Sequence, residues 1–295
     1  MLVTLHSEHY EVTINSLGAE LKSFRTPDGK EFIWNSDPTF WMRSSPLLFP
    51  TIGNVRNNVT KFRGRTYSMP KHGFCKDSEF KVTSQSESHA TFTLKTSEET
   101  LASYPFLFEL CLTYRLTGHT LNMTYSVTNE DEEELPYHIG AHPGFLCPLE
   151  SGESLSDYQL VFEKEETLLA VPYDLEQLCF SATKQVSFGG PGSVLPLTPE
   201  MFDNDAVYFP HVNSRCVKLV HHSLNHGIEV AYPDFCSIAF WTPIGGKAPF
   251  LCIEPWNGSA IFEDEDDEFV GKRDVEFLAP GKSKDYHLQI SLLGY

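Results

Sequence analysis

At 295 residues, with 41% hydrophobic and 13% aromatic side chains, the chain holds enough apolar material for a well-packed globule, as one large domain or two ordinary ones. Its 40 acidic against 22 basic side chains leave a formal charge of -18, which repels phosphate backbones and anionic lipid and so argues against nucleic acid or a membrane surface as partner. The opening MLVTLHSEHYEV has no basic segment leading into a long apolar core, and no apolar run of about 18 residues follows anywhere, so a cytoplasmic protein is expected.

Taken in order, the chain reads as short strands of period two separated by turn residues. Tyr10 to Ile14, Phe80 to Thr83, Thr91 to Lys95 and Leu121 to Thr128 are rich in Thr, Val, Tyr and Phe. Leu107 to Leu116 and Thr120 to Asn129 form a hairpin pair across Thr117-Gly118-His119. Helical periodicity is almost absent, Glu98 to Tyr104 being the one short helical turn expected. With no low-complexity linker and no internal repeat, the expectation is a single all-β domain over residues 1–295, a large antiparallel sandwich or barrel with few short helices.

Several stretches stand out as chemistry. Phe32 to Arg56 is dense in Pro, Ser, Asn and aromatics; Trp34 and Trp41 suit either packing or the floor of a sugar site, since an aromatic face covers the C–H patches of a pyranose. Arg56 follows a Gly-Asn turn, where its planar fork of donors suits ligand hydroxyls. Lys71-His72-Gly73-Phe74, after Pro70, suits a loop corner from which an imidazole points into a cleft. In PYHIGAHPGF (136–145), an extended strand sends His138, Gly140 and His142 to one face before Pro143-Gly144 turns the chain away.

Residues 150–199 read as loops and edge strands. FDNDAVYF (202–209) sets Asp203 and Asp205 at the mouth of an apolar strand. His221, His222 and His226 invite a metal, yet no cysteine or carboxylate lies at a familiar ligand spacing, so a surface hairpin is expected there and no metal. Trp241, just before the Gly245-Gly246 turn, is a substrate-binding candidate. Glu254, in LCIEPWNG, ends an apolar run, where a carboxylate is costly unless paired or functional. The acidic run EDEDDE (263–268) reads as a solvated loop, and the seven cysteines (75, 111, 147, 179, 216, 236 and 252), single and odd in number, read as reduced thiols.

LFPTIGNVR, KHGF, PYHIGAHPGF, FDNDAVYF and IEPWNG occur in the order seen in aldose 1-epimerases, and the chain resembles that family over nearly its whole length, above all its bacterial branch associated with sugar operons. The resemblance implies a large antiparallel β-supersandwich with an open sugar cleft. It implies Glu254 as general base and His142 as general acid, His72 and Asp205 as substrate-binding residues, and Arg56 as a binding arginine. The implied reaction opens and recloses an aldose ring and needs no redox cofactor, metal or covalent nucleophile, only a carboxylate and an imidazolium on opposite sides of the sugar, with pKa values near the working pH. A small-molecule sugar is the implied partner. HGFCK carries Cys75 and Lys76 where relatives often show alanine and arginine, and His138 matches no family role. Two alternatives stand beside the aldose 1-epimerase: a hexose-6-phosphate 1-epimerase, and a non-catalytic carbohydrate-binding protein on the same fold.

Overall fold

The computed structural model describes residues 1–223 and 226–295 and is almost entirely antiparallel β. Its largest sheet has nine strands. At its centre Phe108–Thr117 and Thr120–Asn129 pair in register across the turn at Gly118, as expected, and Ser283–Leu293 flanks them. Every second side chain in these strands is buried, so Leu110, Leu112, Tyr114, Leu121, Met123, Tyr125, Leu288 and Ile290 cover one face while Thr, Asn and Ser alternate on the other. The only α-helical turn among the described residues is Glu98–Leu101, where Ser97 and Thr100 cap each other.

A second sheet of short strands lies against the buried face. Its order is Val207–Phe209, Ser237–Trp241, Phe250–Asn257, Ile139–Ala141 and Leu47–Leu48, with Gly144–Leu146 also on Phe250–Asn257. Aromatic contacts tie the two sheets together: Phe162 meets Phe209 and Phe240, and Phe108 meets Phe49. One cluster of buried apolar side chains runs from Val3 to Leu292. All eight residues of Phe250–Asn257 are buried, because this strand is covered on both faces; that is why its sequence is a continuous apolar run and why a polar residue within it stands out.

Two expectations are corrected. Residues 150–199 are more than loops and edges: Tyr158–Glu166 is a nine-residue strand inside the large sheet, between Gly192–Pro196 and Cys216–His221. Tyr158, Leu160 and Phe162 point inward, but the charged run Glu163–Glu166 at its end hides the alternation. His138 and His142 do not share a face either. Leu135–Tyr137 pairs with Glu276–Leu278, whereas Ile139–Ala141 joins the six-stranded sheet, so the chain changes partners at His138. The His138 ring is carried beneath Gly258 and against Phe269, its Nε2–H donating to the Arg273 carbonyl at 3.1 Å. Burial, reinforced by Lys272, holds that imidazole neutral, with its pKa pushed down to about 3.

Candidate active site

A cavity of about 270 Å³ opens over the six-stranded sheet. Strand register builds its floor. Gly140 stands opposite Trp256 and Gly144 opposite Cys252 on the same strand, so the bend between them, His142-Pro143, lies across from Glu254. The Pro143 carbonyl accepts from Ile253 N–H and anchors the bend. His142 Nε2 thereby comes to 3.2 Å from Glu254 Oε2. Both glycines are needed for packing: a Cβ on Gly140 would sit 2.8 Å from the Trp256 ring, and one on Gly144 3.1 Å from Trp41.

The pair is buried, yet among the described residues neither Glu254 Oε2 nor His142 Nδ1 has a partner in hydrogen-bond geometry, the 3.2 Å contact being an ion-pair approach. Burial pushes the Glu254 carboxyl well above the usual carboxylate range; Lys71 opposes this and Asp205 adds to it. Burial, with Lys71 second, pulls the His142 imidazole down to about 3. Burial thus disfavours the charged form of each side chain, so a proton shared between them favours the carboxyl. Trp41 stacks on the His142 ring at 4.9 Å and Trp241 meets it edge-on at 5.7 Å, so the imidazole plane is fixed by packing.

His72 reaches the cavity from a left-handed corner, with φ of 65° at His72 and 71° at Gly73. Gly73 is obligatory, since a Cβ there would lie 2.0 Å from the Phe49 carbonyl oxygen. Gly53 N–H donates to His72 Nδ1 at 3.0 Å, which leaves the ring proton on Nε2. Burial lowers the His72 pKa, helped by the neighbouring His142, Lys71 and Lys76, so His72 is a neutral donor. Asp205, also left-handed at φ 71°, accepts from Trp241 Nε1–H at 2.6 Å, which orients its carboxylate in the wall.

Glu254, His142, His72, Asp205 and Trp241 thus line one cavity. Arg56 does not. Its chain turns outward at Arg56–Asn58, and the guanidinium donates to the Glu265 carbonyl at 2.9 Å and lies 3.6 Å from Asp267. The acidic run that takes it up is more than a solvated loop: the Asp267 carbonyl accepts from Lys61 N–H, and Glu265 bonds Arg273. The cations that do line the cavity are Arg43, Lys71 and Lys76. Asn54 and Tyr173, joined by a 2.6 Å bond from Asn54 Nδ2 to the phenol oxygen, are wall residues too, as is Trp256. Asn54 and Lys71 sit within the LFPTIGNVR and KHGF motifs, whereas nothing local marks Tyr173 or Arg43. Trp34 is packing, its indole donating to the Trp41 carbonyl.

Among the described residues, three groups of side chains bring donor atoms within 4.8 Å of one another: His142, Cys252 and Glu254 at the cavity floor, and Asp157, His221, His222 and His211, Cys236, Asp274 elsewhere. Asp157 supplies the carboxylate that sequence spacing did not place near His221 and His222; His226 stacks at 5.8 Å on His221. No helix among the described residues is long and apolar enough to cross a membrane.

The profile of the family described as aldose 1-epimerase matches residues 1–270. The LacX protein of Lactococcus lactis subsp. lactis, in its chromosomal form, is 31% identical over 299 residues, covering 99% of this chain and all of the relative. A galactose mutarotase related enzyme from Lactobacillus acidophilus superposes with a TM-score of 0.92 at 28% identity, covering 99% of this chain and 97% of the other. A galactose mutarotase-like protein from Lactobacillus casei superposes equally well at 31% identity, covering 99% and 100%. Matched from end to end in sequence and in sheet architecture, the chain belongs to the aldose 1-epimerase family of isomerases.

Proposed function

We propose that this protein interconverts the α and β anomers of an aldohexose by acid–base ring opening, with Glu254 as base and His142 as acid. The observation that carries this is the buried contact at 3.2 Å between two titratable heads, each with an unpartnered atom, in the floor of a cavity. A side chain buried without partners costs free energy that folding alone does not repay, and a bound ligand supplies the missing bonds.

O1 and the ring oxygen O5 are both bonded to C1, so base and acid must be neighbours and not groups opposed across the ring. The 3.2 Å pair meets that requirement. In the free protein burial favours the shared proton on the carboxyl. When sugar oxygens donate to Glu254 and accept from His142, the carboxylate–imidazolium form gains bonds that the empty cavity lacks. Glu254 then takes the O1 proton, the C1–O5 bond breaks as O1 becomes the aldehyde oxygen, and His142 gives its proton to O5. Rotation about C1–C2 and reversal of these transfers close the ring as the other anomer, with the pair again holding one proton.

His72 Nε2–H donates to a sugar oxygen, Asp205 accepts from hydroxyls, and Trp41 and Trp241 cover the apolar face. The test is polarimetry on freshly dissolved α-glucose and α-galactose with native protein and Glu254→Gln. Acceleration that disappears in the variant supports the role; equal acceleration by both refutes it. Sugar binding without acceleration by the native protein replaces the enzyme with a carbohydrate-binding protein.

A further inference from the structure

Outside the cavity, where the strand Ser237–Trp241 begins, three side chains from distant segments meet: His211, Cys236 and Asp274. Their donor atoms lie within 4.8 Å of one another, and His211 Nε2 is 3.3 Å from Asp274 Oδ1. Ring opening uses none of them. Asp274 has no other ion-pair partner among the described residues, because its neighbour Arg273 is engaged by Asp264 at 2.9 Å and by Glu265 at 3.1 Å. The chain on which each side chain stands is tied down. His211 N–H donates to Ser237 Oγ at 3.3 Å, and Cys236 N–H donates to Asn257 Oδ1 at 2.9 Å. The Arg273 carbonyl, one residue before Asp274, accepts from His138 Nε2–H at 3.1 Å. The buried imidazole that the acid–base chemistry leaves unused thus fixes the segment carrying Asp274. His211 and Asp274 are both left-handed, at φ 52° and 56°, a region disfavoured for residues with a Cβ.

We propose that His211, Cys236 and Asp274 bind one divalent transition ion, zinc being the best match, with water completing the shell. Imidazole nitrogen, thiolate sulfur and carboxylate oxygen are the zinc donor types, and the sulfur selects against magnesium and calcium. A tetrahedral zinc with bonds of about 2.0 to 2.3 Å holds its donors roughly 3.3 to 3.8 Å apart. His211 and Asp274 already stand at that spacing. The thiol, within 4.8 Å of both, has to close by no more than about 1 Å to reach it. The His211 side chain is 65% exposed, which gives the ion a way in. Once bound, the ion clips together the segments that follow Val207–Phe209, precede Ser237–Trp241 and precede Glu276–Leu278. These lie far apart in the chain, so no ligand spacing in the sequence marks the site.

The experiment dialyses the whole chain against EDTA, titrates it with Co2+ and follows the absorption spectrum. The expected result is a sulfur-to-cobalt charge-transfer band with the strong visible bands of a tetrahedral ion, both abolished by Zn2+. Cys236→Ser removes the charge-transfer band. His211→Ala, at an exposed position and so expected to fold, weakens Co2+ binding by about 100-fold or more, beyond the usual cost of losing a supporting contact. Zn2+ raises the urea midpoint of the native protein and leaves that of His211→Ala unmoved. Cys252→Ala is the control for the cavity floor, where His142, Cys252 and Glu254 also lie together. A charge-transfer band lost in Cys252→Ala and kept in Cys236→Ser moves the ion to the cavity and overturns the proposal. A native spectrum without a sulfur-to-cobalt band overturns it as well.

Discussion

The two sheets of this molecule were built under opposite constraints. The nine-stranded sheet is buried on one face, and its central strands alternate as a half-buried strand should, with Leu112 between Phe92 and Tyr125 in the ladder. The six-stranded sheet is covered on both sides, its strands are short, and it is interrupted at the point where His142 faces Glu254. The first sheet spends its inward positions on apolar and aromatic packing, its buried Asn129 and Glu166 side chains being hydrogen-bonded, while the second keeps unpartnered polar atoms in its interior. Stability is therefore concentrated in one sheet and chemistry in the other.

The largest effect expected from that division is on chemistry. Glu254→Gln keeps the shape of the side chain and loses the base, so kcat should fall by roughly 100- to 10,000-fold while the unfolding free energy changes by less than about 1 kcal/mol. Polarimetry and urea titration on the same sample check both, and a variant that loses both together breaks the comparison. Native activity should also be bell-shaped in pH. The pair must hold one proton, so activity falls below about 3, where His142 is also protonated, and falls again as pH rises through the raised Glu254 pKa, where that proton is lost.

Leu112→Ala is the converse experiment. Leu112 is 1% exposed, and its truncation should cost about 2 to 5 kcal/mol by urea titration with kcat per folded molecule unchanged. Gly140→Ala should fall between the two, losing about 1 to 3 kcal/mol as the new methyl meets Trp256, with a rise in KM because Trp256 lines the cavity.

The smallest effect concerns His138, a buried histidine outside the cavity. Its folded pKa of about 3 lies below the ordinary imidazole value of 6.5, so between these values the unfolded chain binds the extra proton and stability falls as pH falls. Replacing it with Gln should reduce the slope of stability against pH in that window by up to about 1.4 kcal/mol per unit. Urea titrations at pH 6 and pH 4.5 measure the difference, and an unchanged slope contradicts a neutral buried imidazole.

How legible each part was follows from how local its physics is. The hairpin around Gly118 and the helical turn at Glu98 were readable because alternation and capping are written within a dozen residues. Tyr158–Glu166 is not legible as a strand because the charges of its second half belong to a surface that only folding defines. Alternation does not carry from His138 to His142, because the chain changes sheets at His138 and no local residue marks the change. Arg56 was drawn into the site by a turn whose outward path depends on acidic residues some two hundred positions away. Arg43 and Tyr173 carried no local sign at all.

The residue types needed for the chemistry, a carboxylate ending an apolar strand and imidazoles at glycine-rich bends, were determined by the sequence itself, because an ionisable group among apolar neighbours is costly and therefore conspicuous. Which of them meet was decided by tertiary structure. The 3.2 Å contact of His142 with Glu254 follows from strand register, the Nε2 tautomer of His72 from a bond to Gly53, and the cationic wall from Arg43, Lys71 and Lys76 converging on one cavity. Register, hydrogen-bond partners and convergence are relations between distant segments, and no single segment contains them.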